Sequence, residues 1–399
     1  MKRILFVHHV SVIGGASYCM LNLIKNIDRK YFEPIVLLAG TGPLVSEIEK
    51  MGVEILYING LTSVPYNKSI FAWGAVFSYY QIKTTISNFK QLLKDNNIDI
   101  VYLNNVMLYP YLKPAKECGK TTIIHIREHW PENEHKVQLS WLQRSVQKYA
   151  DFIVAINEYS ATLVPKIREK TTIVYDWIDF TDRFEERPMS EVLCEDASSL
   201  KVFIFTGGRS GWKGAAEVAE TFCRRVENPD CRLLMLGTDG TYPFIGTAGI
   251  IKRILSFFGY VPYETRFTKY VNSDNRIKCI PATYKLQHIL EQSYAMLSFF
   301  TIPHANLAMA EAITLGLPCV AAETEESLEY SRGGVGAKLF KINNMDDFAA
   351  SIDWLMKNYE FQKSRTESIS NYVKIKFNKD RNIEVFNNFL RSIVSDKSN

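Results

Sequence analysis

Residues 299–334 read FFTIPHANLAMAEAITLGLPCVAAETEESLEYSRGG. An apolar run ends at Phe299–Phe300, a loop follows, and an alanine-rich segment predicts a helix over about Leu307 to Leu315. Its small side chains, Ala308, Ala310 and Ala312, allow close packing on a sheet. Gly316 supplies the C-terminal stop, and Pro318 cannot continue a helix. Cys319 to Ala322 is a short apolar run of the kind that fits a buried parallel strand. The stretch therefore reads as strand, loop, helix, tight turn, strand, loop and a second short helix. Glu311 interrupts the apolar helix, and Glu329 follows the second strand. An unpaired buried carboxylate is costly or shifts its pKa, so Glu311 needs partners. Two readings stand: a capping or salt-bridged glutamate, or an acceptor for the hydroxyls of a bound sugar or ribose.

Working outward, 399 residues with 47% hydrophobic and 13% aromatic content supply two cores rather than one. The net charge of +4 does not suggest a nucleic-acid binder, which needs a concentrated basic stripe. It suits anionic small ligands or a weak membrane-surface contact. Cys19, Cys118, Cys194, Cys223, Cys231, Cys279 and Cys319 are odd in number, scattered and without a Cys-x-x-Cys, as free thiols in a reducing compartment would be. The opening MKRILFVHHV has too short an apolar run for a signal peptide, and no stretch of about 20 apolar residues occurs. The expectation is a cytoplasmic, two-domain α/β protein.

The chain opens with a buried strand, Ile4 to Val7, then HHVSVIGGAS and an amphipathic helix from about Ala16 to Ile27. A strand, a Gly14–Gly15 loop and a helix N-terminus make an anion site, because free N–H groups and the helix dipole face the loop. The alternative for the glycine pair is a plain tight turn. Strands and helices then alternate, except at Thr62 to Tyr80, whose aromatic stripe reads as core or as an exposed patch for a lipid or a partner. His125, Arg127, Glu128 and His129 cluster at the C-terminal end of the strand TTIIHIREHW, where ligands bind in open parallel sheets. With His135 they invite a zinc reading, but the spacing is not that of a metal helix or zinc knuckle. Phe180 to Leu200 turns charged and irregular, as a linker does.

The second half restarts with the strand KVFIFTGG. Arg209 and Lys213 then flank a Gly-containing loop, and Lys213–Gly214 opens an amphipathic helix. Two cations beside a helix N-terminus are what a diphosphate requires. Gly237 lies in the glycine-rich loop after CRLLML. In AGIIKRILSFFGY, residues 248–260, Ile250, Ile251, Ile254, Leu255 and Phe258 fall at helical spacing opposite Lys252 and Arg253. That pattern suits packing on the sheet, or a basic helix on an anionic membrane.

The Gly14–Gly15 loop, the Arg209–Lys213 pair and AEAITLGLPCVAAE with the later Glu329, in that order along nearly the whole chain, resemble the retaining family 4 glycosyltransferases (glycosyl transferases group 1). The resemblance implies the α/β GT-B fold, two Rossmann-like domains facing across a cleft. The acceptor-binding domain is expected at 1–180, a linker at 181–199, the nucleotide-sugar-binding domain at 200–375, and a last helix at 376–399 crossing back onto the first domain. It implies transfer, with retention, of a hexosyl or N-acetylhexosaminyl group from a nucleotide-diphosphate sugar to a glycan or lipid-linked acceptor, in cell-surface polysaccharide synthesis. Arg209 and Lys213 would offset the departing diphosphate's charge, so no metal or other cofactor is expected. Glu311 would hold the ribose, with Gly14, Gly15, Gly237, His304, Asn306 and Leu307 also on the donor side. His125 would lie at the reacting sugar, and Arg127, Glu128 and His129 would meet the acceptor. The first glutamate of the family's pair falls at Pro303, and its usual Gly-Gly at Glu325–Glu326; both departures touch the donor-sugar side. A nucleotide-sugar epimerase and a catalytically silent relative that binds nucleotide sugar or a partner glycosyltransferase are the alternatives. A peripheral contact with the inner face of the membrane and a homo-oligomer stay open.

Overall fold

The computed structural model describes residues 1–65, 73–130, 136–180, 185–241, 261–283 and 285–395. The chain divides into two compact units, Met1–Trp177 with Lys379–Asn399, and Ile178–Asn378.

The first unit holds a parallel sheet of seven strands: β1 (Lys2–Val7), β2 (Phe32–Leu38), β3 (Glu54–Tyr57), β4 (Ile100–Leu103), β5 (Thr121–Ile126), β6 (Phe152–Ala155) and β7 (Thr171–Ile173), in the order β3-β2-β1-β4-β5-β6-β7. The central strands are apolar runs because helices cover both faces. Leu5, Val7, Val101 and Ile124 point into one layer, Ile4, Phe6, Tyr102 and Ile123 into the other. The order reverses between β1 and β4, which opens a crevice at their C-terminal ends. The chain's last described helix, Lys379–Ser395, belongs to this unit and buries Phe386, Leu390 and Ile393 against the second layer. Each such side chain contributes about 2 kcal/mol. Asn387 fixes the helix by accepting from the Asp28 amide and donating to the Asn26 carbonyl, both at 2.9 Å.

The second unit holds six parallel strands: β8 (Lys201–Phe205), β9 (Cys231–Leu236), β10 (Ile277–Ile280), β11 (Ala295–Ser298), β12 (Cys319–Ala322) and β13 (Ala337–Phe340), ordered β10-β9-β8-β11-β12-β13. Its reversal falls between β8 and β11. The Leu307–Thr314 helix joins β11 to β12, and Gly316, at φ +75°, makes the turn.

Several expectations are corrected. The described residues of the linker stretch pack on the second unit: Met189, Val192 and Leu193 are buried in a short helix, and Glu195 makes a two-pronged pair with Arg232 at 2.8 Å. Residues 66–72 of the aromatic stripe lie outside the described residues; in the rest Val64 and Ala75 are buried, while the helix Trp73–Asp95 leaves Trp73, Phe77 and Tyr80 exposed rather than in the core. The expected second short helix is Glu325–Tyr330, and Glu329 on it pairs with Lys376 at 2.9 Å. The amphipathic pattern at 248–260 and His135 lie outside the described residues. All seven cysteines are free thiols. Among the described residues no helix is long and apolar enough to cross a membrane.

Candidate functional site

In the second unit, the loop after β8 carries Gly207 to Gly214 and a single tight turn, Gly211–Lys213, before the Ala215–Arg225 helix. Gly214 sits at φ +72°, and a Cβ there would stand 2.2 Å from the Phe299 carbonyl oxygen. Only glycine lets the helix start so close to the end of β11. The contact continues through the Thr301 amide, which donates to the Trp212 carbonyl at 3.0 Å. On the other side Gly208 approaches Gly237, and its amide donates to the Leu236 carbonyl at 3.0 Å. The loops after β9, β8 and β11 thus form one continuous rim.

The cations occupy this rim. Arg209 donates from its guanidinium to the Thr241 carbonyl at 3.1 Å, tying the β8 loop to the β9 loop. Lys213 is partly buried, and burial lowers its pKa. Among the described residues it makes no ion pair. An enclosed ammonium without a counter-charge beside a helix N-terminus is a site prepared for an anion. His304, across the rim, is pushed down to about 4 by burial and, secondarily, by Lys213, so it is neutral at pH 7.

Asn306 has a structural part on this rim. Its Oδ1 accepts from the Met309 amide at 3.2 Å as the cap of the Leu307–Thr314 helix, and its Nδ2 donates to Ser298 Oγ at 2.7 Å. It is 3% exposed and sets the helix start that Leu307 opens. Glu311 follows on this helix and is 4% exposed. Beyond β12, Thr324 caps the Glu325–Tyr330 helix through Ser327. Glu326 turns inward, 1% exposed; burial raises its pKa to about 7, and Oε2 has no partner among the described residues.

In the first unit, Gly14 and Gly15 start the Gly15–Lys25 helix, and a Cβ at either would meet nothing within 4 Å. Beneath that helix start runs a buried polar chain that crosses the β1–β4 reversal. Ser17 donates to the Val12 carbonyl at 2.8 Å, so its oxygen accepts from His8 Nε2 at 3.0 Å. His8 Nδ1 then accepts from Asn104 Nδ2 at 3.2 Å, which assigns the neutral Nε2–H tautomer. Burial, then His9 and Arg127, push its pKa down to about 3. Asn104 Oδ1 accepts from Arg127 Nε at 3.3 Å, and Arg127 pairs with both oxygens of Asp176 at 2.9 Å. Burial opposes the Arg127 charge, but Asp176 more than restores it. The Cys19 thiol lies in the same environment, pushed well up by burial and then by Asp176.

His125 belongs to the interior. It is 1% exposed, its Nδ1 bonds the Tyr102 hydroxyl at 2.8 Å, and burial holds it neutral. The ring orders Tyr102 within the layer under the helices, and its Nε2 has no partner among the described residues. Arg127, 5% exposed, braces the strand ends through Asn104 and Asp176. Glu128 takes an Asn105 hydrogen bond on Oε1, while Oε2 has no partner among the described residues; burial raises its pKa to about 7. His129 stacks on Tyr159 with centroids 3.8 Å apart, and burial lowers it to about 4. Among the described residues no group of three or more metal-ligating side chains occurs. The sequence reading passed over His8, Asn104 and Asp176. For the first two a signal existed, since each directly follows a strand that borders the reversal.

No family model matches the sequence, and no curated protein matches it. Solved structures do. HepE from Anabaena, in complex with UDP and glucose, superposes with a TM-score of 0.73 at 15% identity over 99% of this chain and 100% of that one. Sucrose-phosphate synthase from Thermosynechococcus elongatus gives 0.71 at 11% identity, over 99% and 100%. A glycosyltransferase from Rickettsia africae gives 0.66 at 16% identity, over 98% of each. With two parallel sheets, each with its strand-order reversal, the chain is a two-domain α/β protein of the GT-B fold.

Proposed function

We propose that this chain is a metal-independent glycosyltransferase that uses a nucleotide-diphosphate sugar and retains configuration at the transferred carbon. The observation that carries the reading is the partly buried Lys213 ammonium, without an ion pair among the described residues, beside a helix N-terminus and next to Arg209. HepE has been solved with UDP-glucose, which supports a UDP-hexose as the first donor to test. In the reaction the bond between the sugar's anomeric carbon and the diphosphate oxygen breaks, and the acceptor oxygen bonds on the same face. The acceptor's proton passes to the departing phosphate, so no protein nucleophile is needed. Lys213 and Arg209 hold positive charge where negative charge develops. Glu311 holds the ribose. In the first unit the open helix start at Gly14–Gly15 suits an anion, and Glu128, near neutrality in its pKa, takes an acceptor hydroxyl.

Pro303 and the inward-turned Glu326 favour a second reading, a relative that binds nucleotide sugar without transferring it. Incubation with UDP-, GDP- and ADP-sugars, with and without glycan or lipid-linked acceptors, separates the two. Nucleotide release that depends on acceptor supports transfer, with the product's anomeric configuration reporting retention. Saturable binding with no release supports the second reading, and the absence of any nucleotide binding defeats both.

A further inference from the structure

The first unit carries an exposed aromatic face that sugar transfer does not use. Trp73, Val76, Phe77 and Tyr80 fall at i, i+3, i+4 and i+7 on the Trp73–Asp95 helix and are 85%, 46%, 53% and 64% exposed. On the Lys136–Tyr149 helix, Val137 and Trp141 are 51% and 43% exposed. The two stripes adjoin, because Tyr79 meets the Trp141 ring edge-on with centroids 6.0 Å apart. The buried sides of the same helices are satisfied by Ala75, Ile82, Phe89, Leu139, Leu142 and Val146. The outer stripe is therefore surplus to the core, and a contiguous exposed aromatic patch on a folded unit marks a contact.

Charge identifies the partner. No acidic residue occurs from Trp73 to Lys94 or from Lys136 to Ala150. Lys83, Lys136, Arg144 and Lys148 are exposed on these helices and make no ion pair among the described residues. Trp and Tyr prefer the boundary between headgroups and acyl chains, and lysine and arginine prefer anionic headgroups. A second copy of this chain fits poorly, since a two-fold contact through this face would set like cations against one another.

We propose that the face formed by the Trp73–Asp95 and Lys136–Tyr149 helices docks on an anionic lipid bilayer surface, seating Trp73, Phe77, Tyr80 and Trp141 among the headgroups while Lys83, Lys136, Arg144 and Lys148 meet their phosphates. The inference stands on the face alone and holds whether or not the proposed transfer is the activity.

The test is flotation of the full chain with vesicles of phosphatidylcholine alone and with vesicles containing one part in three phosphatidylglycerol. The expected result is binding to the anionic vesicles only, weakened by added salt. W73S/F77S and K83E/R144E/K148E should each reduce binding roughly tenfold or more, with circular dichroism and melting unchanged because every altered side chain is exposed. Failure of the parent protein to float with anionic vesicles, equal binding to neutral ones, or undiminished binding by both variants overturns the proposal. So does a concentration-dependent dimer that W73S/F77S dissociates, which would make a second copy the occupant.

Discussion

Replacing Arg127 with methionine tests the buried polar chain of the first unit. Methionine fills much of the arginine's volume, so the cavity cost is small and the electrostatic cost dominates. The Arg127 side chain is 4% exposed and its partner Asp176 20%, with both carboxylate oxygens at 2.9 Å. Breaking a buried pair by removing one partner costs about 3–5 kcal/mol, because the other charge is left uncompensated. The residual exposure of Asp176 places the expected loss near the lower end, about 3 kcal/mol. Asn104 also loses a donor, worth about 1 kcal/mol. For a unit of this size each kcal/mol moves the midpoint by about 2–4 °C, so the first unit's melting transition should fall by about 10 °C. Scanning calorimetry and urea titration read the change. R127M/D176L removes both charges and should recover most of the loss, since an apolar pair in place of a buried ion pair is often neutral. A loss for R127M below about 1 kcal/mol, or a double variant no better than the single one, would refute the network's stabilising role.

Two further outcomes follow from the site. Gly214→Ala combines a left-handed backbone at φ +72° with a Cβ 2.2 Å from the Phe299 oxygen, so the β8 loop must move away from β11. A displacement of roughly 1 Å at Lys213 should cost about 100-fold in transfer, measured as kcat/KM; a change under about threefold would show that the close approach is unimportant to the grip. The second concerns acid. His8 titrates near 3, His9, His129 and His304 near 4, and His125 well below its usual value, all depressed from 6.5. Between pH 6.5 and 4.5 the unfolded chain therefore takes up more protons at these five sites, and stability falls as pH falls. Glu128 and Glu326, raised to about 7, act the other way in that window, because the folded state holds their protons. The histidines outnumber them, so denaturant titration should give lower stability at pH 5 than at pH 6.5, and a steeper loss below 4.5. Equal stability at pH 5 and 6.5 would contradict the burial of these rings.

What the sequence shows and what it hides divide along the range of the interactions. The run from Leu307 to Ala322 is local: alanines, a Gly-x-Pro stop and four apolar residues lead directly to the observed helix, turn and β12. Lys213 is legible for a similar reason, since its place after the unit's first strand puts it at a helix start whatever the rest of the chain does. The chain from Ser17 through His8, Asn104 and Arg127 to Asp176 is not legible, because Ser17 sits on a helix and the other four follow four different strands, so they meet only once the sheet is assembled. The cap at Asn306 is legible, since an asparagine before a helix caps well, but its bond to Ser298 at the end of β11 is not. The His125–Tyr102 bond is hidden for the same reason, since it joins the neighbouring strands β5 and β4. The aromatic stripe at 73–80 has the composition of core, yet the helical register turns it outward.

The claim on which the account turns is that the ammonium at position 213 is prepared for a nucleoside diphosphate. Calorimetric titration of UDP into the parent protein and into Lys213→Ala, at matched pH and salt, tests it most directly. The account predicts saturable binding by the parent and a loss of roughly 10- to 100-fold in the variant, with melting little changed. Equal affinity for the two proteins, or no binding by the parent to UDP, GDP or ADP, would contradict it.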